Sequence, residues 1–297
     1  MTWVDDERAR RENQWTHLLA GGGPKAVAPA LVRELGIYGG AQGVWVDKDA
    51  TASPHSPTGV AVGLLHTGRS YADELSDEGV LYHYPATRRP EARDANETAA
   101  MRAAAELRLP VFVITHSPEA RGKRDIYRGF IEGVDDRAAL VLVLFDAEPP
   151  TELVEPPADD EPFEMFDRSP RKQRLVKDRP RQQTFKFLVL KMYGPSCAMC
   201  RISAVPVLDG IHIVDKEESG SDDPRNGLVL CATHHRALDA RLVAIDPELA
   251  LRYPEGGLTA TELGITVADL SHLPSKPHPG ALQWRWERWV ERNPAYV

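Results

Sequence analysis

Four residues in the C-terminal third have the types and spacing of a metal site. Cys197-Ala-Met-Cys200 and Cys231-Ala-Thr-His234 form two short knuckles. Each offers two soft or borderline ligands, and together they fill the four tetrahedral positions that zinc prefers. All three cysteines of the 297-residue chain fall in this pattern. An odd, clustered set argues for metal ligation over a disulfide framework. A closed Cys3His site leaves no position for water, so its role is structural.

A second group of capable residues is interleaved with the first. His235 follows His234 directly, and helical neighbours point in different directions, so the two cannot share one ion. Asp239 lies four residues beyond His235 and hence on the same helical face. His212 and Asn226 stand upstream.

The stretch LDGIHIVDKEESGSDDPRNGLVLCATHHRALDARLVAID resembles the HNH endonuclease family in its ordered His-Ile, Asn-Gly-Leu and His-x3-Asp elements. The preceding RQQTFKFLVLKMYGPSCAMC resembles the helix and first knuckle that lead into that motif, so the likeness covers residues 181–250. It implies a β-hairpin followed by a helix, gripping one divalent ion. By this resemblance His212 is the general base that activates water, Asn226 braces the hairpin loop, and His235 ligates the catalytic metal, Mg2+ or another divalent cation. Such an ion stabilises the pentavalent phosphate and the leaving oxygen. One position departs from the pattern. Many relatives carry an acidic residue or His just before the base, where this chain has Ile211. Asp239 is the expected replacement ligand, with Asp209 as the second choice. The bland alternative for Asp239 is a surface ion pair with Arg236 or Arg241.

These residues need elements to position them. A hydrophobic content of 42% and a charged content of 27% are ordinary for a globular chain. The net charge of −8 argues weakly against nucleic acid, because binding depends on local patches. Asp146 to Asp167 holds nine acidic residues, five prolines and no basic residue, and reads as a linker. Arg168 to Lys191 then holds nine basic residues against Asp178 alone, which favours phosphate contact. The boundaries expected are 1–147 for a first domain with a helical N-terminal arm, 148–180 for a charged linker, and 181–297 for a nuclease domain with a C-terminal helix. A charged N-terminus without an apolar core excludes a signal peptide, and no apolar run is long enough to span a membrane, so a cytoplasmic location is expected.

In the first domain, residues 4–19 and 26–35 read as helices. Strands are expected at 43–46, 59–65, 80–84, 111–114, 127–131 and 139–145, rich in Val, Ile, Phe and Tyr and punctuated by turn residues. A helix at 96–107 interrupts them, with Asn96 as its cap. This pattern predicts an α+β chain: a curved β-barrel domain with flanking helices, joined to a small ββα-metal domain with a structural zinc. The segments GIYGGAQGVWVDK, VAVGLLHTGRSYADELSDEGVLYHYP, NETAAMRAAAELRLPVFVIT and KRDIYRGFIEGV resemble the SRA (PUA-like) module, across residues 35–145. That resemblance implies a pocket for a flipped, modified cytosine, with Tyr71 and Tyr84 as stacking faces and Asp73 as acceptor for the exocyclic amine. Glu74 or Asp77 is the alternative acceptor. Arg88, Arg89, Arg93 and Arg124 are candidate contacts to the DNA backbone.

Together these readings imply a modification-dependent endonuclease acting on double-stranded DNA with 5-methyl- or 5-hydroxymethylcytosine. One such site cuts one strand, so a double-strand break implies a homodimer. The alternatives are a modified-DNA-binding protein that does not cleave, for which Ile211 speaks, and a PUA-like-guided nuclease acting on another modification or on RNA.

Overall fold

The computed structural model describes residues 2–40, 43–53, 56–66, 75–87, 90–145, 148–158, 160–167 and 181–294. The chain divides into two compact units, Met1–Val154 and Glu155–Val297.

The first unit is built on strands β1 (Val44–Val46), β2 (Ala61–His66), β3 (Gly79–His83), β4 (Val111–His116), β5 (Arg124–Asp135) and β6 (Leu140–Phe145), in the order β1-β2-β4-β5-β6-β3. Only β2 and β4 pair in parallel. Alternation along β4 sends Val111 and Val113 to one face and Phe112 and Ile114 to the other. The Val111 face packs against Ala100, Met101, Ala104 and Ala105 of α4 (Glu91–Glu106). The Phe112 face packs against Leu18 of α1 (Trp3–Ala20) and Val32 of α2 (Pro29–Glu34).

This arrangement corrects the barrel expected from sequence. The sheet is open, and among the described residues no ladder joins its edge strands β1 and β3. The reason is that both faces are apolar. Every residue of β6, Leu-Val-Leu-Val-Leu-Phe, is buried, and such strands need helices on both sides of the sheet. Helix α4 also begins earlier than expected, at Glu91 with Pro90 as its cap, so Asn96 lies inside the helix and does not cap it.

Helix α1 buries charge as well as apolar surface. The Arg11 side chain is fully buried and bonds Glu7 at 2.7 Å and the carbonyls of Ala61 and Pro110, each at 2.7 Å. Burial pulls its pKa down to about 10, so it stays ionised at neutral pH. Burial also opposes the Glu7 charge, but the bonds from Arg10 and Arg11 prevail and hold the carboxyl below its ordinary range.

In the second unit, α5 (Arg181–Tyr193) lies across an antiparallel hairpin of β7 (Leu208–His212) and β8 (Gly227–Cys231). Phe185, Phe187, Val189 and Leu190 anchor it. Gly210 permits this close approach, since a Cβ there would stand 2.9 Å from the Lys186 Cα. β8 runs directly into α6 (Ala232–Asp239). Beyond follow β9 (Ala244–Ile245), β10 (Leu251–Arg252), α7 (Ala260–Leu263) and α8 (Pro279–Val290). Residues of the acidic run pack within this unit: Arg225 donates to the carbonyls of Glu161 and Pro162, and Phe163 stacks on His278. No described helix is long and apolar enough to cross a membrane.

Candidate active site

The two knuckles converge. The ligand atoms of Cys197, Cys200, Cys231 and His234 all lie within 4.8 Å of one another. His234 Nδ1 stands 3.4 Å from Cys197 Sγ and 3.3 Å from Cys231 Sγ, and Cys200 Sγ stands 3.9 Å from Cys231 Sγ. A tetrahedral zinc, with Zn–S about 2.3 Å and Zn–N about 2.0 Å, places S–N edges at roughly 3.5 Å and S–S edges at roughly 3.8 Å. The cluster fits that ion. Burial, and then the neighbouring sulfurs, push the Cys200 thiol up to about 12, so its thiolate needs a cation beside it. His234 Nε2 meets the Leu263 carbonyl at 3.0 Å, which fixes the tautomer that leaves Nδ1 for the cluster.

The hairpin carries His212 at the end of β7. Its ring lies flat on Phe185 of α5, with centroids 3.7 Å apart and planes 6° from parallel. Its Nε2 is 3.0 Å from Asp222 Oδ1. Burial opposes the Asp222 charge, but hydrogen bonds from His212 and Lys216 outweigh it and hold the carboxyl below the usual range. An ionised carboxylate only accepts, so His212 carries a hydrogen on Nε2, and in the neutral ring the lone pair is then on Nδ1.

The loop between β7 and β8 is stapled by Asn226, which is fully buried. Its Oδ1 accepts from the Val214 N–H at 2.9 Å, and its Nδ2 donates to the carbonyls of Val214 and Ser221 at 3.2 and 3.0 Å. The Ile213 N–H donates to the Asn226 carbonyl at 2.8 Å. Gly220 is required in this loop because a Cβ there would collide with the Val214 carbonyl.

His235, on α6, stands between two carboxylates. Nδ1 faces Asp209 Oδ2 at 3.0 Å and Nε2 faces Asp239 Oδ2 at 3.3 Å. The Asp209 hydrogen bond raises the imidazole above its ordinary value, with burial opposing and Asp239 assisting. The same bond holds Asp209 below the usual carboxylate range. Ile211 is buried, and its apolar side chain offers no ligand atom. With a carboxylate at each nitrogen, the imidazole could hold a divalent cation together with one carboxylate while the other orients the ring. Asp239 is also bound through Oδ1 to Arg285 at 3.1 Å, whereas among the described residues Asp209 makes no ion pair with an arginine and feels Lys186 and Arg236 only at longer range. The surface ion pair expected as the alternative for Asp239 does form, but with Arg285 of α8; among the described residues Arg236 and Arg241 make none with it.

Sequence reasoning passed over Asp222, Phe185, Leu263 and Arg285. The first is one acid in a polar loop, and the others act from elements remote in sequence. In the first unit, Tyr84 is half-buried and donates to Asp136 at 2.6 Å, with Arg102 on the same carboxylate. Burial, then the bond to Asp136, pushes its hydroxyl up to about 12. Asp77 is exposed. Arg93 pairs with Glu97 at 3.5 Å, and Arg124 approaches His116 Nδ1 at 3.1 Å. Tyr71, Asp73, Glu74, Arg88 and Arg89 lie outside the described residues, as do 168–180 of the basic run.

Residues 197–246 match the family described as HNH endonuclease. Among solved structures, the chain is similar to the modification dependent TagI restriction endonuclease, at 16% identity over 90% of this chain and 92% of that one, with a TM-score of 0.34. It is also similar to the Type IV phosphorothioation-dependent restriction endonuclease ScoMcrA, at 12% identity over 86% of this chain and 57% of that one, with a TM-score of 0.25. No curated protein matches the chain. The second unit thus carries an HNH endonuclease domain, the module of metal-dependent DNA endonucleases.

Proposed function

We propose that the protein is a modification-dependent DNA endonuclease whose first unit selects duplex DNA carrying 5-methyl- or 5-hydroxymethylcytosine and whose second unit hydrolyses a phosphodiester bond nearby. The observation that carries the cleavage half is the pairing of His212 Nε2 with Asp222 at 3.0 Å, which leaves Nδ1 to take a proton from water. His235, Asp209 and Asp239 would hold Mg2+ or a similar ion, which when bound supplies positive charge at the phosphate. Zinc at Cys197, Cys200, Cys231 and His234 would fix the turn into α6 and so the position of His235. Asn226 and Phe185 hold the base in place.

The selection half rests on the sequence resemblance to SRA modules, with Tyr71, Asp73 and Tyr84 as the base pocket. Cutting both strands would take a homodimer. The experiment is a gel-shift and cleavage comparison of the wild type and His212→Ala on DNA with and without modified cytosine. The variant should bind modified DNA selectively and cut nothing. Undiminished cutting by the variant refutes the assignment of the base, and equal binding of both DNAs refutes the selection.

A further inference from the structure

A cleft of about 400 Å3 opens in the second unit between α8, the end of α6 and the loop that begins at Asp215. Its size lies within the range of about 300–1,000 Å3 that holds one small ligand. One wall is aromatic: Trp284, Trp286 and Trp289 of α8 all line it. Trp286 and Trp289 lie stacked, with centroids 5.1 Å apart, and the Trp289 indole donates to the Arg241 carbonyl at 3.2 Å, which fixes the wall. Arg241 also lines the cleft, and among the described residues its buried guanidinium Nη1 has no hydrogen-bond partner. Asp215, Glu217, Glu218 and Asp239 line the cleft as well; Arg285 binds Asp215 and Asp239, and Arg288 adds a further cation. A buried cationic donor lacking an acceptor is unfavourable, and an incoming phosphate oxygen supplies one.

The cleft touches the partners of both catalytic histidines. Lys216 lines it and reaches, at 3.0 Å, the Asp222 carboxylate that holds His212. Asp239 lines it and lies 3.3 Å from His235 Nε2. A ligand seated there touches the side chains that contact the partners of His212 and His235. Stacking on indole rings accepts any base, and arginines take the backbone.

We propose that this cleft binds one nucleotide of the DNA strand adjoining the bond that is cut, with its base against Trp284 and Trp286 and its phosphate on Arg241. The proposal rests on reading the second unit as a DNA-cutting domain. Its test does not depend on cleavage.

The full-length protein, without added divalent ion, is titrated with a 5′-phosphorylated DNA trinucleotide while tryptophan fluorescence is followed. The wild type should show saturable quenching. Arg241→Ala should weaken binding about tenfold or more. Trp286→Leu, which keeps an apolar contact on Trp289 but removes the stacking face, should weaken it at least about fivefold. Zinc content and circular dichroism verify that each variant is folded, and if one is not, the other decides. No saturable quenching of the wild type overturns the proposal, as does wild-type affinity in the folded variants. If the nuclease reading alone fails, DNA stays uncut while this binding persists.

Discussion

Asp222 Oδ1 lies 3.0 Å from His212 Nε2, and Lys216 Nζ stands at the same 3.0 Å from that oxygen. The carboxylate is thereby held ionised and the imidazole held in one tautomer, with the lone pair on Nδ1. Asp222→Asn puts an amide donor where only an acceptor stood and favours the wrong tautomer. Its cleavage rate should fall by about 10²-fold or more, the scale of general-base catalysis, with DNA affinity unchanged. Single-turnover rates and gel-shift constants for the same protein separate the two effects.

The carboxylates on His235 are not equivalent. Asp239 shares its charge with Arg285, which also bonds Asp215 and the Ile213 carbonyl. Among the described residues Asp209 makes no ion pair with an arginine, and Lys186 and Arg236 act on it only at longer range. Asp209→Ala should therefore raise the Mn2+ concentration for half-maximal cleavage by about 10- to 100-fold, and Asp239→Ala should raise it less. A larger effect at Asp239 would reverse the assignment.

Zinc removal should unfold the second unit selectively. The binding free energy of a structural zinc is folding free energy, about 10–16 kcal/mol in small zinc domains. Metal analysis should find one zinc per chain. Strong chelation or Cys200→Ser should abolish the thermal transition of the second unit, while that of the first remains, as calorimetry will show.

The Glu7–Arg11 pair governs the first unit. Glu7→Gln leaves a fully buried guanidinium without its counter-charge and should cost about 3–5 kcal/mol in denaturant unfolding. The sign with pH follows from the depressed folded-state pKa of Glu7. The stabilisation is fully present above the carboxyl's unfolded value of about 4.3. It is lost as pH falls through the lower folded value. The wild type should lose stability across that acidic window, and the variant should lack that component of the loss.

Much of the nuclease site was legible in the sequence because its ligands sit at fixed offsets. Asp239 lies four positions beyond His235 on one helix, and each knuckle closes within a few residues. Asp222 was not legible, because it reaches His212 across a loop whose shape depends on Asn226 and Gly220. The strands of the first unit showed in their composition, but the same Val- and Leu-rich segments suit a barrel or a covered open sheet. What decides is that α1 and α2 cover the face opposite α4. The structure buries Trp289 and ties it to Arg241.

The most direct measurement is cleavage, in Mg2+ or Mn2+, of two plasmids identical except for cytosine modification. The modified plasmid should be cut and the unmodified one left intact. No cutting of either plasmid contradicts the nuclease claim, and equal cutting of both contradicts selection by the first unit.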